Sequence, residues 1–450
     1  MMSRLILSLF ILMSNGALFI FTLRRWLFLL TAWRLGDWEI GKLEARDWRL
    51  ETTTPPLHSS ARLSPILLLV PFRDEVANLR QLLPLLGQLD FPAACLTVVL
   101  VDDGSRDGSG RFCHEFIAQH PNWHLLTLPH NMGKAAALNE AWRHFPDGDF
   151  VAVFDADEWP SPHTLTHLLA AFSEDSVNSD LPEACRVGAV NGRRAVSNPL
   201  ATPIASYAAM ENLVHQLISN RAKDQLQLAP ALLGSNCIYR RTALMAVGGF
   251  TPGTLLEDSD LTLKLARAGW RTHFVPAAVS YHAVPETLRG YWRQHTRWNA
   301  GLQQVVQGQA TAVFAQSRLP WLLRLELWLF SLGYLDRVAL LAAIVAEWQR
   351  PSRLTSLNIG LSLLTPLLQI IFALRLYGQA DSHPDPHPNP PPEGEGWAEG
   401  RHKLQPERSA ILWRRLGYLP LFYALDVAAV LASILHKVTR KPVRWEARGI

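Results

Sequence analysis

Phe150-Val151-Ala152-Val153-Phe154-Asp155-Ala156-Asp157-Glu158 is the stretch around which this chain arranges itself. Its unbroken apolar run predicts a strand buried on both faces, as in the middle of a parallel sheet. The run ends in two carboxylates, Asp155 and Asp157, one residue apart. In open α/β sheets ligands gather beyond the carboxyl ends of the strands, which puts both carboxylates at a ligand edge. Two hard oxygen donors there suit a divalent cation that keeps some waters and bridges a diphosphate. A strand running into an acidic turn has the same letters, so the flanking sequence has to separate the two readings.

On the N-terminal side the pattern alternates strand and helix. Residues 66–70 read as an apolar strand ending at Pro71-Phe72-Arg73-Asp74-Glu75, and leucines at helical spacing follow over 78–89. A second strand, 96–101, ends at Asp102-Asp103-Gly104-Ser105; a helix around 109–119 and a short strand near 123–128 come next. The turn Asn131-Met132-Gly133-Lys134 opens a helix over 135–143 and leads back to the central strand. This alternation predicts a mostly parallel sheet with helices on both faces and polar clusters converging on one edge. On the C-terminal side, helices are expected over 164–172 and 204–220 and a strand over 187–191. Gly234-Ser235-Asn236 falls within 231–240, a further helix starts at Glu257-Asp258, and an amphipathic helix runs from 286 to about 306.

The chain has 450 residues, 48% of them apolar and only 18% charged, and the apolar excess concentrates towards both ends. Residues 5–23 carry no charge and match a bilayer crossing in length. Arg24, Arg25 and Arg34 follow, which places the next domain in the cytoplasm by the positive-inside tendency. The basic cluster comes after the apolar run, so a retained anchor is expected rather than a cleaved signal. Thr52-Thr53-Thr54-Pro55-Pro56 marks a linker. Residues 321–348 are apolar but interrupted by Arg324, Glu326, Asp336 and Arg337, so part of this segment is expected along the membrane surface. Residues 357–374 and 417–435 read as spans, with Asp426 inside the second facing a partner helix. Between them, a Pro-, His-, Gly- and Glu-rich stretch without apolar periodicity reads as a disordered insertion. A net charge of +4 with no Lys/Arg stripe among aromatics gives no case for nucleic acid. Cys95, Cys113, Cys185 and Cys237 are scattered without a C-x-x-C pair, which argues against a zinc site or disulfide framework.

A nucleotide-activated donor presents a base, a ribose and a diphosphate. Asp74, Glu75, Asp102 and Asp103 are placed to accept from ribose hydroxyls or a base N–H, although Asp-Asp-Gly-Ser is equally a good turn sequence. Lys134, after Gly133 at a helix start, is placed to meet phosphate; a P-loop is excluded because Leu128 stands where its first glycine belongs. A cation on Asp155 and Asp157 stabilises a leaving diphosphate, and what remains is a base for the attacking hydroxyl. Glu257 and Asp258 offer one at a helix N-terminus, where the dipole is expected to lower a carboxylate pKa and weaken it as a base. Gln294, Arg297 and Trp298 stand at i, i+3 and i+4 on one helical face, a set suited to diphosphate and sugar or to a membrane interface.

Five signals stand in order: Asp102-Asp103-Gly-Ser, Gly133-Lys134-Ala-Ala-Ala-Leu-Asn139, Asp155-Ala-Asp157, Glu257-Asp258 and Gln294-His-Thr-Arg297-Trp298. As an ordered set, over roughly 64–302, they resemble the membrane-bound branch of the family 2 glycosyltransferases, with the cellulose, chitin, hyaluronan and poly-N-acetylglucosamine synthases. Val284-Pro285-Glu286-Thr287-Leu288 looks most like the last of these. The resemblance implies a GT-A fold, a UDP-sugar donor and Mg²⁺ or Mn²⁺. It implies Asp74, Glu75 and Asp103 at the uridine, with Asp102 and Lys134 also on the donor side, and Asp155 at the donor and metal. It implies Asp157 at the metal, Asp258 beside Glu257 as general base of an inverting displacement, Arg297 at the diphosphate, and Gln294 and Trp298 at the acceptor. Two positions depart from the pattern: Leu256 stands where Thr or a similar residue is usual, and His295 where a basic residue is usual. His282 is either a packed histidine or a further metal ligand.

The expected organisation is an N-terminal membrane anchor (1–34), a linker (35–64), a GT-A domain (65–310), and interfacial and transmembrane helices (311–378). A disordered insertion (379–409) and a C-terminal transmembrane helix with a basic tail (410–450) complete it. The expected function is transfer of a hexose or N-acetylhexosamine from a UDP-sugar to a polysaccharide by a multi-pass enzyme of the cell membrane with a cytoplasmic catalytic domain. A non-processive lipid glycosyltransferase and a catalytically silent GT-A membrane scaffold are the alternatives, and export or regulatory subunits are candidate partners.

Overall fold

The first helix, α1 (Met2–Thr52), leads to a strand, β1 (Ile66–Phe72), whose seven residues are all buried. A computed structural model describes residues 2–52, 64–172, 186–310, 313, 315, 319–380 and 415–438. Beyond β1 come α2 (Val76–Leu86), β2 (Leu96–Asp102), α3 (Ser109–Ile117), β3 (Trp123–Thr127), α4 (Lys134–His144) and β4 (Phe150–Val153). Side chains alternate along β1: Ile66, Leu68 and Val70 meet Leu79, Leu82 and Leu83 of α2 on one face. Leu67 and Leu69 meet Ala137, Leu138 and Ala141 of α4 on the other. Each leucine buried in this way stabilises the fold by about 1.5–3 kcal/mol. That two-sided demand is why β1, β2 and β4 read as continuous apolar runs.

The second half adds β5 (Glu158–Pro160), α5 (Thr164–Ala170), β6 (Val187–Val196), α6 (Pro203–Leu213), a π-helical stretch Val214–Asn220, and α7 (Arg221–Gln225). It continues with β7 (Cys237–Arg240), α8 (Arg241–Ala246), α9 (Glu257–Arg267), β8 (Arg271–His282) and α10 (Leu288–Val305). The eight strands form one sheet in the order β3-β2-β1-β4-β7-β6-β8-β5. β1, β2, β3 and β4 pair in parallel; β7 runs antiparallel to β4 and β6, β6 is parallel to β8, and β5 is antiparallel to β8. Chain order reverses beside β1, whose neighbours are β2 and β4. A crevice opens at such a switch point, beyond the strands' carboxyl ends. The loops carrying Asp74, Asp102 and Asp155 all leave from there.

β6 and β8 approach closely at one glycine. A Cβ on Gly192 would sit 2.2 Å from the Ala278 carbonyl oxygen and 2.5 Å from Asn236 Nδ2. Both neighbours are fixed, because Asn236 Nδ2 itself donates to the Ala278 oxygen at 2.9 Å. Gly192→Ala is therefore expected to destabilise the protein by about 1–3 kcal/mol or more. A thermal unfolding midpoint equal to wild type in detergent would show that the strands part without cost.

The remaining helices are α11 (Trp321–Ser331), α12 (Leu335–Gln349), α13 (Arg353–Ala380) and α14 (Leu419–Val438). Among the described residues, Ser8–Leu35 and Arg353–Leu376 are long and apolar enough to cross a membrane. α11 and α12 bend by 78° and count as a third span only if taken together. The apolar part of α14, Ala424–Leu435, is shorter than a span. The sequence puts a linker from residue 35, but helix continues to Thr52; the rest of the linker, and the insertion beyond Ala380, lie outside the described residues. Arg24 and Arg25 do not end the apolar segment as flanking charges. Arg24 pairs with Glu326 through two hydrogen bonds of 2.6 and 2.7 Å, and Arg25 pairs with Asp336. Lys223 adds a second cation to Glu326 at 2.9 Å. Charges removed from water persist when paired, so these residues join α1 to α11 and α12 from inside.

Candidate active site

The loops after β1 and β2 are laced together by short polar side chains. Asp74, with a left-handed φ of 55°, accepts from the Arg106 N–H at 2.7 Å, and its own N–H donates to Ser105 Oγ at 3.1 Å. The Glu75 N–H donates to Ser109 Oγ at 3.0 Å, while its carboxylate accepts from Asn78 at 2.6 Å. Asp102 and Asp103 are both 5% exposed. Asp102 accepts from the Ser105 N–H at 2.8 Å. Asp103 accepts from Met132 and Gly133 N–H groups at 2.6 and 2.9 Å and so fixes the loop that opens α4. Burial raises the Asp103 pKa against these two hydrogen bonds. These hydrogen bonds shape both loops and hold the two carboxylates at the crevice.

Gly133 delivers Lys134 to the head of α4, and the lysine reaches across the crevice. Its ammonium lies 2.7 Å from Asp155 Oδ1, 3.0 Å from Glu257 Oε1 and 3.0 Å from the Gly234 carbonyl oxygen. Burial disfavours the charge, but Asp155 and Glu257 outweigh it and hold the lysine pKa above its ordinary value. The Asp155 N–H donates to Ser235 Oγ at 2.8 Å, which fixes the turn after β4. Gly234 makes the convergence possible. A Cβ there would lie 3.1 Å from Asp258 Oδ2, 3.4 Å from Lys134 Nζ and 3.5 Å from Glu257 Oε1, at a backbone φ of +75° that disfavours side chains in any case.

Asp258 occupies the first turn of α9 and accepts from the Ser259 N–H at 2.6 Å. Its pKa is pushed up to about 6 by burial and by neighbouring Glu257, against the pull of Lys134, the Ser259 N–H and Arg194. The expectation of a lowered pKa is thus reversed. Desolvation and the like charge of Glu257 exceed the partial charge of a helix terminus.

Asp157 and Asp155 flank the turn into β5, and the structure anchors that turn through Glu158. Glu158 is fully buried and accepts from Arg194 Nε at 2.8 and 3.1 Å and from Ser280 Oγ. Arg194 also donates to the Leu233 carbonyl oxygen at 3.1 Å, tying β6 to the Gly234 loop. Sequence reasoning missed Arg194 because the strand was expected to stop at 191, whereas β6 runs on to Val196. His282, the last residue of β8, is paired with Glu158 across the strands and is 6% exposed, so it is a buried strand residue beside the Asp155–Asp157 turn. Two carboxylates one residue apart, with an imidazole on the adjoining strand, offer donor types that Mg²⁺ or Mn²⁺ takes, although the ligand atoms of the three do not all lie within 4.8 Å of one another.

Gln294, Arg297, Trp298, Gly301 and Gln304 form one stripe along α10. The far end of the stripe touches the loop that leads into Asp258: Gln304 Oε1 accepts from the Leu255 N–H at 3.0 Å. A Cβ on Gly301 would lie 2.5 Å from Leu256 Cγ, so the glycine seats Leu256 against the helix. The departure at Leu256 therefore has a packing role. Trp298 is 40% exposed, while Gln294 and Arg297 are half-buried. The structure brings Lys134, Asp155, Glu257 and Asp258 together directly, and links Gln294, Arg297 and Trp298 to the Asp258 loop only through α10, whose Gly301 and Gln304 touch that loop.

Known proteins resemble the chain in sequence and in fold. A probable glycosyltransferase YdaM of Bacillus subtilis (strain 168) is 29% identical over 54% of this chain and 56% of its own. The cellulose synthase catalytic subunit [UDP-forming] of Xanthomonas axonopodis pv. citri (strain 306) is 27% identical over 58% of this chain and 34% of its own. A poly-beta-1,6-N-acetyl-D-glucosamine synthase of Staphylococcus aureus (strain COL) is 25% identical over 50% and 51%. The chain thus spans between a third and somewhat over half of these relatives. In fold it is similar to the mannosyltransferase PcManGT of Pyrobaculum calidifontis, solved with GDP-Man and Mn²⁺, at a TM-score of 0.50 and 21% identity, covering 92% of this chain and 100% of that one. The model of the family described as "Glycosyltransferase like family 2" matches residues 64–301, more than half of the chain, and the chain belongs to that family.

Proposed function

We propose that the protein is a membrane-bound inverting glycosyltransferase that moves a hexose or N-acetylhexosamine from a UDP-sugar to a polysaccharide acceptor, with its catalytic domain in the cytoplasm. The observation that carries this reading is the convergence of Lys134, Asp155, Glu257 and Asp258 around Gly234, with Asp258 raised towards neutrality. A general base works best when its pKa lies near the operating pH, and most carboxylates lie too low. Asp258 takes the proton of the acceptor hydroxyl as that oxygen attacks the anomeric carbon. The bond from that carbon to the diphosphate oxygen breaks in the same step, UDP leaves with the electron pair, and the anomeric centre inverts.

Asp157 and Asp155 would hold Mg²⁺ or Mn²⁺, which would supply positive charge to offset that of the departing diphosphate. Lys134 and Arg297 bring positive charge to the same diphosphate. Asp74, Glu75, Asp102 and Asp103 border the uridine end, and Gln294 with Trp298 receives the acceptor sugar. The relatives named for cellulose and poly-N-acetylglucosamine synthesis favour UDP-sugars and a polymer product over a lipid one.

Because Asp258 must be ionised to act, kcat/KM is expected to be flat above about pH 6 and to fall with unit slope as the pH drops below it. The measurement is UDP release from purified membranes with Mn²⁺ across that range; a pH-independent rate would remove Asp258 from the proton transfer. Mass spectrometry of the products formed from each UDP-sugar, with GDP-mannose as a control donor, tests the reading as a whole. Absence of transfer from every donor would favour a silent scaffold.

A further inference from the structure

On the side of α10 away from Asp258, charged and phenolic groups from four helices meet. His295 Nδ1 lies 3.0 Å from the Tyr291 carbonyl oxygen, and its Nε2 lies 3.2 Å from Glu211 on α6. The Tyr291 hydroxyl sits between Glu211, at 3.0 Å, and Asp426 of α14. Tyr207 of α6 donates to the other Asp426 oxygen at 3.0 Å. Arg337 of α12 lies 3.8 Å from Asp426 and 2.6 Å from Asp336, which is also paired with Arg25 of α1.

The protonation state follows from the hydrogen bonds. A carbonyl oxygen and an ionised carboxylate can only accept, so both nitrogens of His295 carry protons and the ring is an imidazolium. Glu211 thus faces the imidazolium, while the single Tyr291 proton cannot serve Glu211 and Asp426 at once, so Asp426, beside Arg337, shares a proton with the phenols around it. Although burial opposes the ring's charge, Glu211 raises the His295 pKa above its ordinary 6.5. For Glu211 burial is again the opposing influence, and His295 together with Arg337 lowers its pKa. Glu211, His295 and Asp426 also form the one group among the described residues whose ligand atoms lie within 4.8 Å of one another, as a metal site would require. A cation there would have to displace the proton from Nε2 and the Tyr291 hydroxyl, and would face Arg337.

The cluster reaches the acceptor side through stacked rings. Tyr291 and His295 lie 3.8 Å apart and His295 and Trp298 4.9 Å apart, centroid to centroid. Lower on the same helix, Gln303 donates to Ser433 of α14 at 3.0 Å, so α10 is held to α14 at two levels. We propose that Glu211, His295 and Asp426 form a proton-dependent clamp that seats α10 against α14 and positions Trp298 and Gln294. Acceptor handling then depends on a proton held outside the reacting centre. This rests on the acceptor role given above to Gln294 and Trp298, and His295 is a positioning residue that never touches the sugar in it.

A histidine whose folded pKa is raised contributes stability that is complete below its ordinary pKa of 6.5 and is lost as the pH rises through the raised value. The test uses the full chain in nanodiscs, with UDP-N-acetylglucosamine as donor probe and chitotetraose as acceptor probe. Between about pH 6 and pH 9, the wild-type KM for acceptor is expected to rise about tenfold while the KM for donor changes less than about twofold. His295→Gln is expected to show the high acceptor KM at every pH, and Glu211→Gln to follow it. A flat acceptor KM in wild type, or a wild-type profile in His295→Gln, overturns the clamp. So does one equivalent of divalent metal bound by wild type and lost in His295→Gln, which would make the cluster a metal site.

If wild type transfers none of the UDP-sugars tried, the enzymatic reading fails, and the clamp is judged without substrate. The thermal midpoint of wild type is then expected to fall from pH 6 to pH 9 by several degrees relative to that of His295→Gln, and equal slopes overturn the proposal.

Discussion

Asp258→Asn is expected to slow sugar transfer by about 10²–10⁴-fold while leaving UDP-sugar affinity within about twofold. Asparagine keeps the shape of the side chain and can still accept from the Ser259 N–H, so the first turn of α9 keeps that hydrogen bond. What it loses is the ability to take a proton. Removing the charge also relieves the repulsion with Glu257, so the fold has no reason to weaken. Lys134 and Asp155 keep their 2.7 Å ion pair, which leaves the donor side as it was. Single-turnover UDP release and calorimetric donor binding on the same preparation separate the two effects. A rate equal to wild type would place the base elsewhere, with Glu257 the next carboxylate to test.

Asp157→Ala is the second change with a large expected effect. Loss of a carboxylate ligand is expected to weaken metal-dependent UDP-sugar binding by more than about 100-fold, beyond the range found for residues that only support a ligand. The fold is expected to survive, because the buried Glu158–Arg194 pair anchors the turn into β5. Asp155→Ala would be harder to interpret, since it also releases Lys134 from its closest partner. Donor binding titrated with and without Mn²⁺ provides the measurement. An unchanged response to Mn²⁺ would reduce the turn after β4 to a structural one.

The first half of the fold was legible because its strands are buried on both faces. β1, β2 and β4 carry near-continuous apolar runs that break off at carboxylates, so both the strand and its functional end show in the letters. β8 did not show, because Pro276 within it argues against a strand. In the structure Pro276 falls in a bulge: pairing with β6 passes from Val275 opposite Gly192 straight to Val279 opposite Arg193, and no ladder bond is required of the proline. Arg194 was hidden for a related reason, since Gly192-Arg193-Arg194 reads as the end of a strand when it is the middle. The Asp258 pKa was misjudged because a helix start is visible in sequence, whereas burial depends on Gly234 and Lys134, which arrive from distant parts of the chain.

The ion pairs of α1 bear on how the molecule is assembled as it is made. Arg24 and Glu326 lie 302 residues apart in sequence, and Arg25 and Asp336 311. When α1 leaves the ribosome, neither arginine has its partner, and the whole sheet has to be synthesised before α11 and α12 emerge. In the meantime two cations sit in an apolar segment that costs least to insert when its charges snorkel to the interface. The first helix is therefore expected to sit at a provisional depth and to reach its final seat when Glu326 and Asp336 arrive. Closure of the helical bundle is in this sense a late event that reports completion of the catalytic domain between its ends.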